Sequence, residues 1–323
     1  MSRSLIPAED TISDPRGLKP EAMTAGVVRS FWHGPFSPYE ALCLSSFIAA
    51  GIGVELFSQE PLSGLPDGVT ARKARDILDC DVAFYRHEPD GPSPALHANH
   101  FRYALLEKLG GWWIDSDIML VGSVLPAAGV FLARQSDAEL NCAVMHFPVR
   151  HPLMTSARER TEAVLETARW AETGPKLVTE LLPVHEPDAA IAARESAYAI
   201  GHEEFQKFLL PEAREEVEQR TANSTFVHLW NEMWRRSGIP KDIGPPKGSW
   251  IDMMFERHAI PVVWSDRMDA AQVKTWDSAR RERERTGRSV AQDAPAQPDP
   301  SGISRVFREI RARLHQRFRN SPD

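Results

Sequence analysis

The chain has 323 residues, 42% of them hydrophobic and 26% charged, with a formal net charge of −7. That composition is ordinary for a globular protein with room for one large α/β domain or two smaller ones. It argues against a general nucleic-acid binder, no apolar window reaches the ~18 residues of a membrane span, and MSRSLIPAEDTISDPRG lacks the apolar core of a signal peptide.

The three cysteines, Cys43, Cys80 and Cys142, lie far apart and show neither disulfide-framework nor zinc spacing. That fits a reducing compartment and predicts a cytoplasmic location. Charge is uneven along the chain. Residues 280–323 hold 11 arginines against 6 acidic residues, a surplus of five positive charges, which leaves −12 on the rest.

Residues 1–24 have no periodic pattern and read as a polar leader. Gly26–Trp32 reads as a first strand, His33-Gly34-Pro35 as a breaker, and Ser37-Pro38 as an N-cap followed by proline at the first helical position. A mostly apolar helix runs to Ala50, and Ile52–Phe57 alternates like a second strand. Strand, helix and strand in about 30 residues make a βαβ unit, hence a parallel pair. Ligands of such sheets bind beyond the carboxyl ends of the strands, which places Trp32, His33 and Gly34 on the functional edge. Residues 58–92 read as mixed, with loops around Ala71–Leu78.

Ser93-Pro94 opens another helix, and Gly110 follows Leu109 as a C-cap glycine. Ala98, Phe101, Leu105, Leu106 and Leu109 form its apolar stripe, and Arg102 falls inside that stripe. A buried arginine needs a carboxylate or phosphate partner, unless it snorkels to the rim. A short apolar strand then ends in Asp115-Ser116-Asp117. Side chains two apart on a strand point the same way, so the two carboxylates converge if the strand persists. Such a pair repels unless a cation sits between them, and hard oxygen ligands suit Mg²⁺ or Mn²⁺ holding a phosphate.

Val130–Ala133 and Asn141–Phe147 read as strands, and His151-Pro152 opens a helix through Trp170. Thr173–Leu182 reads as a turn feeding a short helix, 183–222 is the least legible part, and Ser224–Leu229 reads as a late strand. Gly244–Trp250 has the composition of a flexible loop before a helix ending near His258. There are no internal repeats.

Residues Asn99-x-x-Arg102-Tyr103-x-Leu105-Leu106-x-x-x-Gly110-Gly111-Trp112-Trp113-x-Asp115-x-Asp117 resemble the sugar-binding region of a DXD glycosyltransferase family. That family includes capsular-polysaccharide glycosyltransferases, α-1,4-galactosyltransferases and Golgi mannosyltransferases. Trp32-His33-Gly34, the Gly174-Pro175 turn before Thr179, and His228-x-Trp230 are weaker echoes. The resemblance implies an α/β GT-A fold, a Rossmann-like mixed sheet flanked by helices. It further implies a nucleotide-sugar (UDP- or GDP-) donor, a Mn²⁺ or Mg²⁺ cofactor, a glycan or lipid-linked acceptor, and transfer with retention. By the same resemblance Asp117 ligates the metal and Asp115 contacts the donor or reaches the metal through water. The GT-A fold commonly adds a late histidine, here His228, beside which Mn²⁺ suits better than Mg²⁺.

Arg102 then orients Asp115 or the donor sugar. The family usually has Asp where this chain has Asn99, a departure that bears on donor identity more than on catalysis. Phe31 and Trp32 are candidates to stack on the nucleobase, and Asn141 to face the sugar. Lys247, Ser249 and Trp250 are candidates for a closing loop over the diphosphate, an exposed turn being the alternative.

The predicted layout is a leader over 1–24, a catalytic domain over 25–279, a linker over 280–302 that is Pro/Ala/Gln-rich from 286, and a basic amphipathic helix over 303–323. In that helix Ile303, Val306, Phe307, Ile310, Leu314 and Phe318 form a stripe among six arginines. It reads as a peripheral anchor on an anionic membrane surface, or as a helix docking on a partner or the acidic body. Two rival functions remain: a nucleotide-sugar-binding protein without transfer, kept alive by Asn99, and an aspartyl-phosphate phosphohydrolase, which Ile118-Met119 fits poorly.

Overall fold

The computed structural model describes residues 26–86 and 92–286. The leader over 1–24, residues 287–302 of the linker and the stripe over 303–323 lie outside the described residues.

The opening unit is β1 (Val27–Phe31), α1 (Pro38–Ala49) and β2 (Gly53–Ser58), with β1 and β2 parallel from Val27↔Gly53 to Phe31↔Phe57. Ser37 caps α1 through a capping box: its hydroxyl accepts the Tyr39 N–H, and Glu40 accepts the Ser37 N–H. β3 (Val69–Lys73) adds a third parallel strand where a loop was expected. It is an edge strand whose residues are mostly exposed, so no alternation marks it, and the Arg72–Glu55 ion pair ties its polar side chains to β2.

α2 (Ala95–Leu109) buries Phe101, Arg102, Leu105 and Leu106, as the stripe predicts. Leu109 departs from the prediction: it ends the last turn and is 39% exposed. The chain then reverses through Gly110 (φ 61°) and Gly111 (φ 82°) into β4 (Gly111–Ile114). A Cβ on Gly110 would stand 2.6 Å from the Val149 nitrogen, so both the left-handed backbone and the close approach require glycine.

β4 is the hinge of the sheet. It is parallel to β1 and antiparallel to β7 (Leu140–Phe147), which also pairs with β6 (Phe131–Arg134), giving the order β3-β2-β1-β4-β7-β6. Trp112 and Ile114 pack into one core with α1, and Trp113 into the other with α2, α3 (Pro152–Glu162) and α4 (Pro175–His185). This is the mixed, helix-flanked α/β sheet expected of a GT-A fold. A second, two-stranded sheet joins β5 (Ile118–Leu120) to β8 (Phe226–His228), with Ile118 opposite His228.

Two boundaries move, and one illegible stretch gains elements. The helix after His151 stops at Glu162 and continues as turns. The illegible 183–222 stretch contains a 3₁₀ segment, His202–Leu209, and α5 (Arg214–Thr221). After α6 (Asn231–Ser237) and α7 (Trp250–Arg257) comes α8 (Ala270–Thr286), which runs through the expected start of the linker at 280. Buried Arg280 explains that shift, since its guanidinium is held by Asp277 and Glu284 on the same helix. No helix among the described residues is long and apolar enough to cross a membrane.

Candidate active site

A cleft of about 700 Å³ lies beyond the carboxyl ends of β1 and β4. Asp115 follows β4, and its N–H donates to the Ala143 carbonyl on β7 at 2.7 Å. Its Oδ1 accepts from the Trp113 indole at 2.8 Å and sits 2.9 Å from Arg102 Nη2. Arg102 is the arginine of the apolar stripe, and the structure gives it the partner its burial demands. Its other donors reach the carbonyls of Cys142 at 2.6 Å and Ala98 at 3.3 Å, and its guanidinium lies 5.2 Å from the Trp113 ring centre. Its fork is spent on Asp115 and these carbonyls.

Asp117 is buried and precedes β5. Its Oδ2 faces His228 Nε2 at 3.1 Å and accepts the Asn231 N–H at 2.8 Å, while its carbonyl accepts the Leu229 N–H. Burial pushes the Asp117 carboxyl up, but His228 and the Asn231 N–H outweigh it and hold the group at about 2. Asp115 shifts the other way: burial pushes it up and the Asp117 charge adds to the rise, with Arg102 opposing but not cancelling it. Asp115 in turn keeps Arg102 above its ordinary range against the effect of burial.

Asp115, Asp117 and His228 each offer a ligand atom within 4.8 Å of the others. Two carboxylates and an imidazole, two of the three residues buried, suit a divalent transition ion of the Mn²⁺ kind. His228 Nδ1 is also buried without a hydrogen-bond partner, so the ring's one hydrogen bond is to Asp117, and packing on Trp230 (centroids 4.0 Å) and Tyr198 (5.8 Å) holds the rest. The residues present therefore fit a cation. Trp230 itself is left-handed (φ 60°, ψ 52°), a conformation costing about 1–3 kcal/mol for a bulky residue. Its indole donates to the Ile200 carbonyl at 2.9 Å, which helps to hold that turn.

The remaining predicted residues divide into two groups. Phe31, Trp32, Asn99 and Asn141 all line the cleft. Phe31 packs on His97 and Phe101, which makes it core as well as wall. The Asn99 amide donates to the Tyr85 hydroxyl and to Thr173 Oγ1, both at 3.1 Å, and Tyr85 and Thr173 are 2.6 Å apart. That network suits an amide, whose NH₂ supplies two donors where a carboxylate supplies none. Asn141 bridges Gln135 and the Ala143 N–H.

The closing-loop expectation is corrected. Ser249 is fully buried and caps α7 by accepting the Asp252 N–H, and Trp250 is a core residue packed on Phe208. Lys247 is exposed, and none of the three lines the cleft.

The lysine that does line the cleft is Lys241, a residue with no local motif around it. Its Nζ lies 2.5 Å from Glu40 Oε1 and 2.6 Å from Asn231 Oδ1, between the rings of Trp32 and Trp234.

Comparison with known proteins finds glycosyltransferases. The rat and mouse (Rattus norvegicus, Mus musculus) lactosylceramide 4-alpha-galactosyltransferases are each 26% identical over 142 residues, covering 41% of this chain and 39% of theirs. The chain thus spans well under half the length of those relatives. Among solved structures, PaToxG glycosyltransferase superposes with a TM-score of 0.37 at 14% identity, over 50% of this chain and 68% of that one. The apo-form glycosyltransferase GlyE of Streptococcus pneumoniae TIGR4 gives 0.38 at 11%, over 79% and 63%. Residues 146–258, which include His228, Asn231 and Lys241, match the family described as Alpha 1,4-glycosyltransferase conserved region. The expected likeness to the α-1,4-glycosyltransferases is borne out by that match, which lies C-terminal to residues 99–117.

Proposed function

We propose that the chain is a divalent-cation-dependent glycosyltransferase. It moves a sugar from a UDP- or GDP-sugar to a glycan or glycolipid acceptor, with retention at the anomeric carbon. The observation that carries this reading is the convergence of Asp115, Asp117 and His228 within 4.8 Å at a cleft of nucleotide-sugar size.

Asp117 and His228 hold the ion, and Asp115 joins them or orients the donor, tied in place by Arg102 and Trp113. The bound cation supplies charge neutralisation to the departing nucleoside diphosphate. The chain's own residues do the rest. Lys241 offers a point charge to a phosphate oxygen, Trp32 a ring to the base, and Asn99 and Asn141 carbonyl and amide groups to the sugar hydroxyls. The apolar walls exclude water, which strengthens each of these contacts and limits donor hydrolysis. The lactosylceramide-directed relatives favour a glycolipid acceptor, and the 303–323 stripe then keeps the enzyme peripheral on the cytoplasmic face of a membrane. Flotation on anionic liposomes, lost when 303–323 are deleted, tests that placement.

The decisive test is nucleotide release from a panel of UDP- and GDP-sugars with Mn²⁺ present. One donor is expected to react, chelation to stop the reaction, and Asp117→Ala to lower kcat by about 10²–10³-fold. Release that survives Asp117→Ala unchanged refutes the reading.

A further inference from the structure

Asn231 does more than begin α6. Its backbone N–H donates to Asp117 Oδ2 at 2.8 Å, its side-chain Nδ2 donates to Glu40 Oε1 at 2.8 Å, and its Oδ1 accepts from Lys241 Nζ at 2.6 Å. Glu40 closes the triangle through Lys241 at 2.5 Å. One residue therefore touches a candidate metal ligand, the cleft's lysine and a fully buried carboxylate.

Glu40 serves two elements at once. Its Oε2 completes the capping box of α1, while Oε1 points inward to Asn231 and Lys241. Its side chain is 0% exposed and that of Lys241 22%. A buried carboxylate pinned at a helix start is a rigid anchor, and a lysine bound to it cannot wander. The left-handed turn at Trp230 aims the Asn231 N–H at Asp117, and strain of this kind persists only where surrounding contacts enforce it.

We propose that Asn231 is a positioning residue that ties Asp117 to Lys241, with Glu40 as its anchor, so that one diphosphate can engage cation and lysine together. This rests on the proposed function. It goes further in assigning the coupling between cation and nucleoside diphosphate to one amide and a carboxylate far away in sequence. Removing the side-chain amide frees Lys241 and cuts the Glu40 tether that steadies the backbone N–H on Asp117, so cation affinity and the cation's enhancement of nucleotide binding fall together.

The test uses the full chain and two readouts besides turnover: Mn²⁺ alone, followed by EPR, and UDP and GDP titrated calorimetrically with and without Mn²⁺. Asn231→Ala keeps the N–H that faces Asp117 but loses the side-chain tether that holds it in place, and is expected to weaken Mn²⁺ by up to about tenfold, as loosened support does at metal sites. The Mn²⁺ enhancement of nucleotide binding drops at least fivefold, the low end of site coupling. Glu40→Gln weakens the coupling similarly. The double variant Glu40→Gln/Asn231→Asp restores an amide–carboxylate pair with polarity reversed, keeps the lysine a carboxylate partner, and recovers most of the coupling.

If Asn231→Ala lowers the unfolding midpoint but leaves Mn²⁺ affinity and the coupling unchanged, its role is structural and the proposal is overturned. Asp117→Ala separates the two ideas. If that variant loses Mn²⁺ while Asn231→Ala does not, only the tie fails; if it binds Mn²⁺ like wild type, the proposed function fails as well.

Discussion

Arg102→Met gives the sharpest test of how the site is supported, because methionine keeps the apolar stem and removes only the guanidinium. Arg102 is 4% exposed and its partner Asp115 25%. Breaking a buried ion pair from one side costs about 3–5 kcal/mol, since the other charge stays buried and unpaired. Asp115 is partly solvated and keeps its bond from the Trp113 indole, which discounts the charge share. The carbonyl of Cys142 loses a charged donor at 2.6 Å, which moves the sum back up. The two corrections offset, and the expected loss is about 3 kcal/mol. For an ordered body of this size that lowers Tm by about 6–12 °C. Urea unfolding of the chelated protein measures the first figure and calorimetry the second. Function separates the support from the ligands: Mn²⁺ affinity should fall much less in Arg102→Met than in His228→Ala, because Asp117 and His228 stay in place. An unfolding free energy within about 1 kcal/mol of wild type would show that Asp115 does not depend on Arg102.

Trp250→Ala should cost about 3–5 kcal/mol as a core truncation and leave Mn²⁺ affinity of the folded protein unchanged, the opposite of what a closing loop would give. Lys247→Ala should bind nucleotide like wild type, whereas Lys241→Ala should lose affinity for the diphosphate; calorimetric titration with UDP and GDP compares them. His97 is buried with its Nε2 unpartnered, and burial lowers its pKa to about 4, with His100 and His33 acting the same way. A histidine depressed in the folded state stabilises fully above its unfolded value of 6.5 and progressively less as pH falls toward 4. Stability should therefore drop by about 3 kcal/mol across that window, and His97→Phe should flatten the drop in urea titrations run at several pH values.

The βαβ opening was legible because Ser37-Pro38 and the alternation of β2 are local signals, and the six-stranded sheet confirms it. β3 was not, because an edge strand satisfied by solvent and by an Arg72–Glu55 pair has no reason to alternate apolar with polar. Arg102 could be singled out from its place within an apolar stripe. Lys241 could not, because what makes it part of the cleft is Glu40, 201 positions away. Glu40 was hidden differently: as the third helical residue after Ser37 it has a sufficient local explanation, and its second oxygen is visible only in three dimensions. Residues 244–249 are the loop before a helix that their composition indicates, but Ser249 and Trp250 do not belong to the cleft, and Ser249-x-x-Asp252 carries the spacing of a helix cap.

The candidate ligands come from two sheets, and that division has a consequence. Asp115 follows β4 of the six-stranded sheet, while Asp117 leads into β5 and His228 ends β8, so only Ser116 separates the two supports. A one-residue slip of β8 would turn His228 to the opposite face and dismantle the set. The register is clamped at both ends. Leu229 N–H donates to the Asp117 carbonyl at one end, and Val121 and Gly122 N–H both donate to the Thr225 carbonyl at the other. From the α1 side, Ser46 Oγ accepts the Leu120 N–H. Three residues of strand on each side would be marginal alone, so these clamps, and the Phe226 packing on Phe47 and Trp112, hold the pair in place. A cation bridging Asp115 to Asp117 and His228 would cross-link the two sheets, so its binding energy would also stabilise the junction that presents its own ligands.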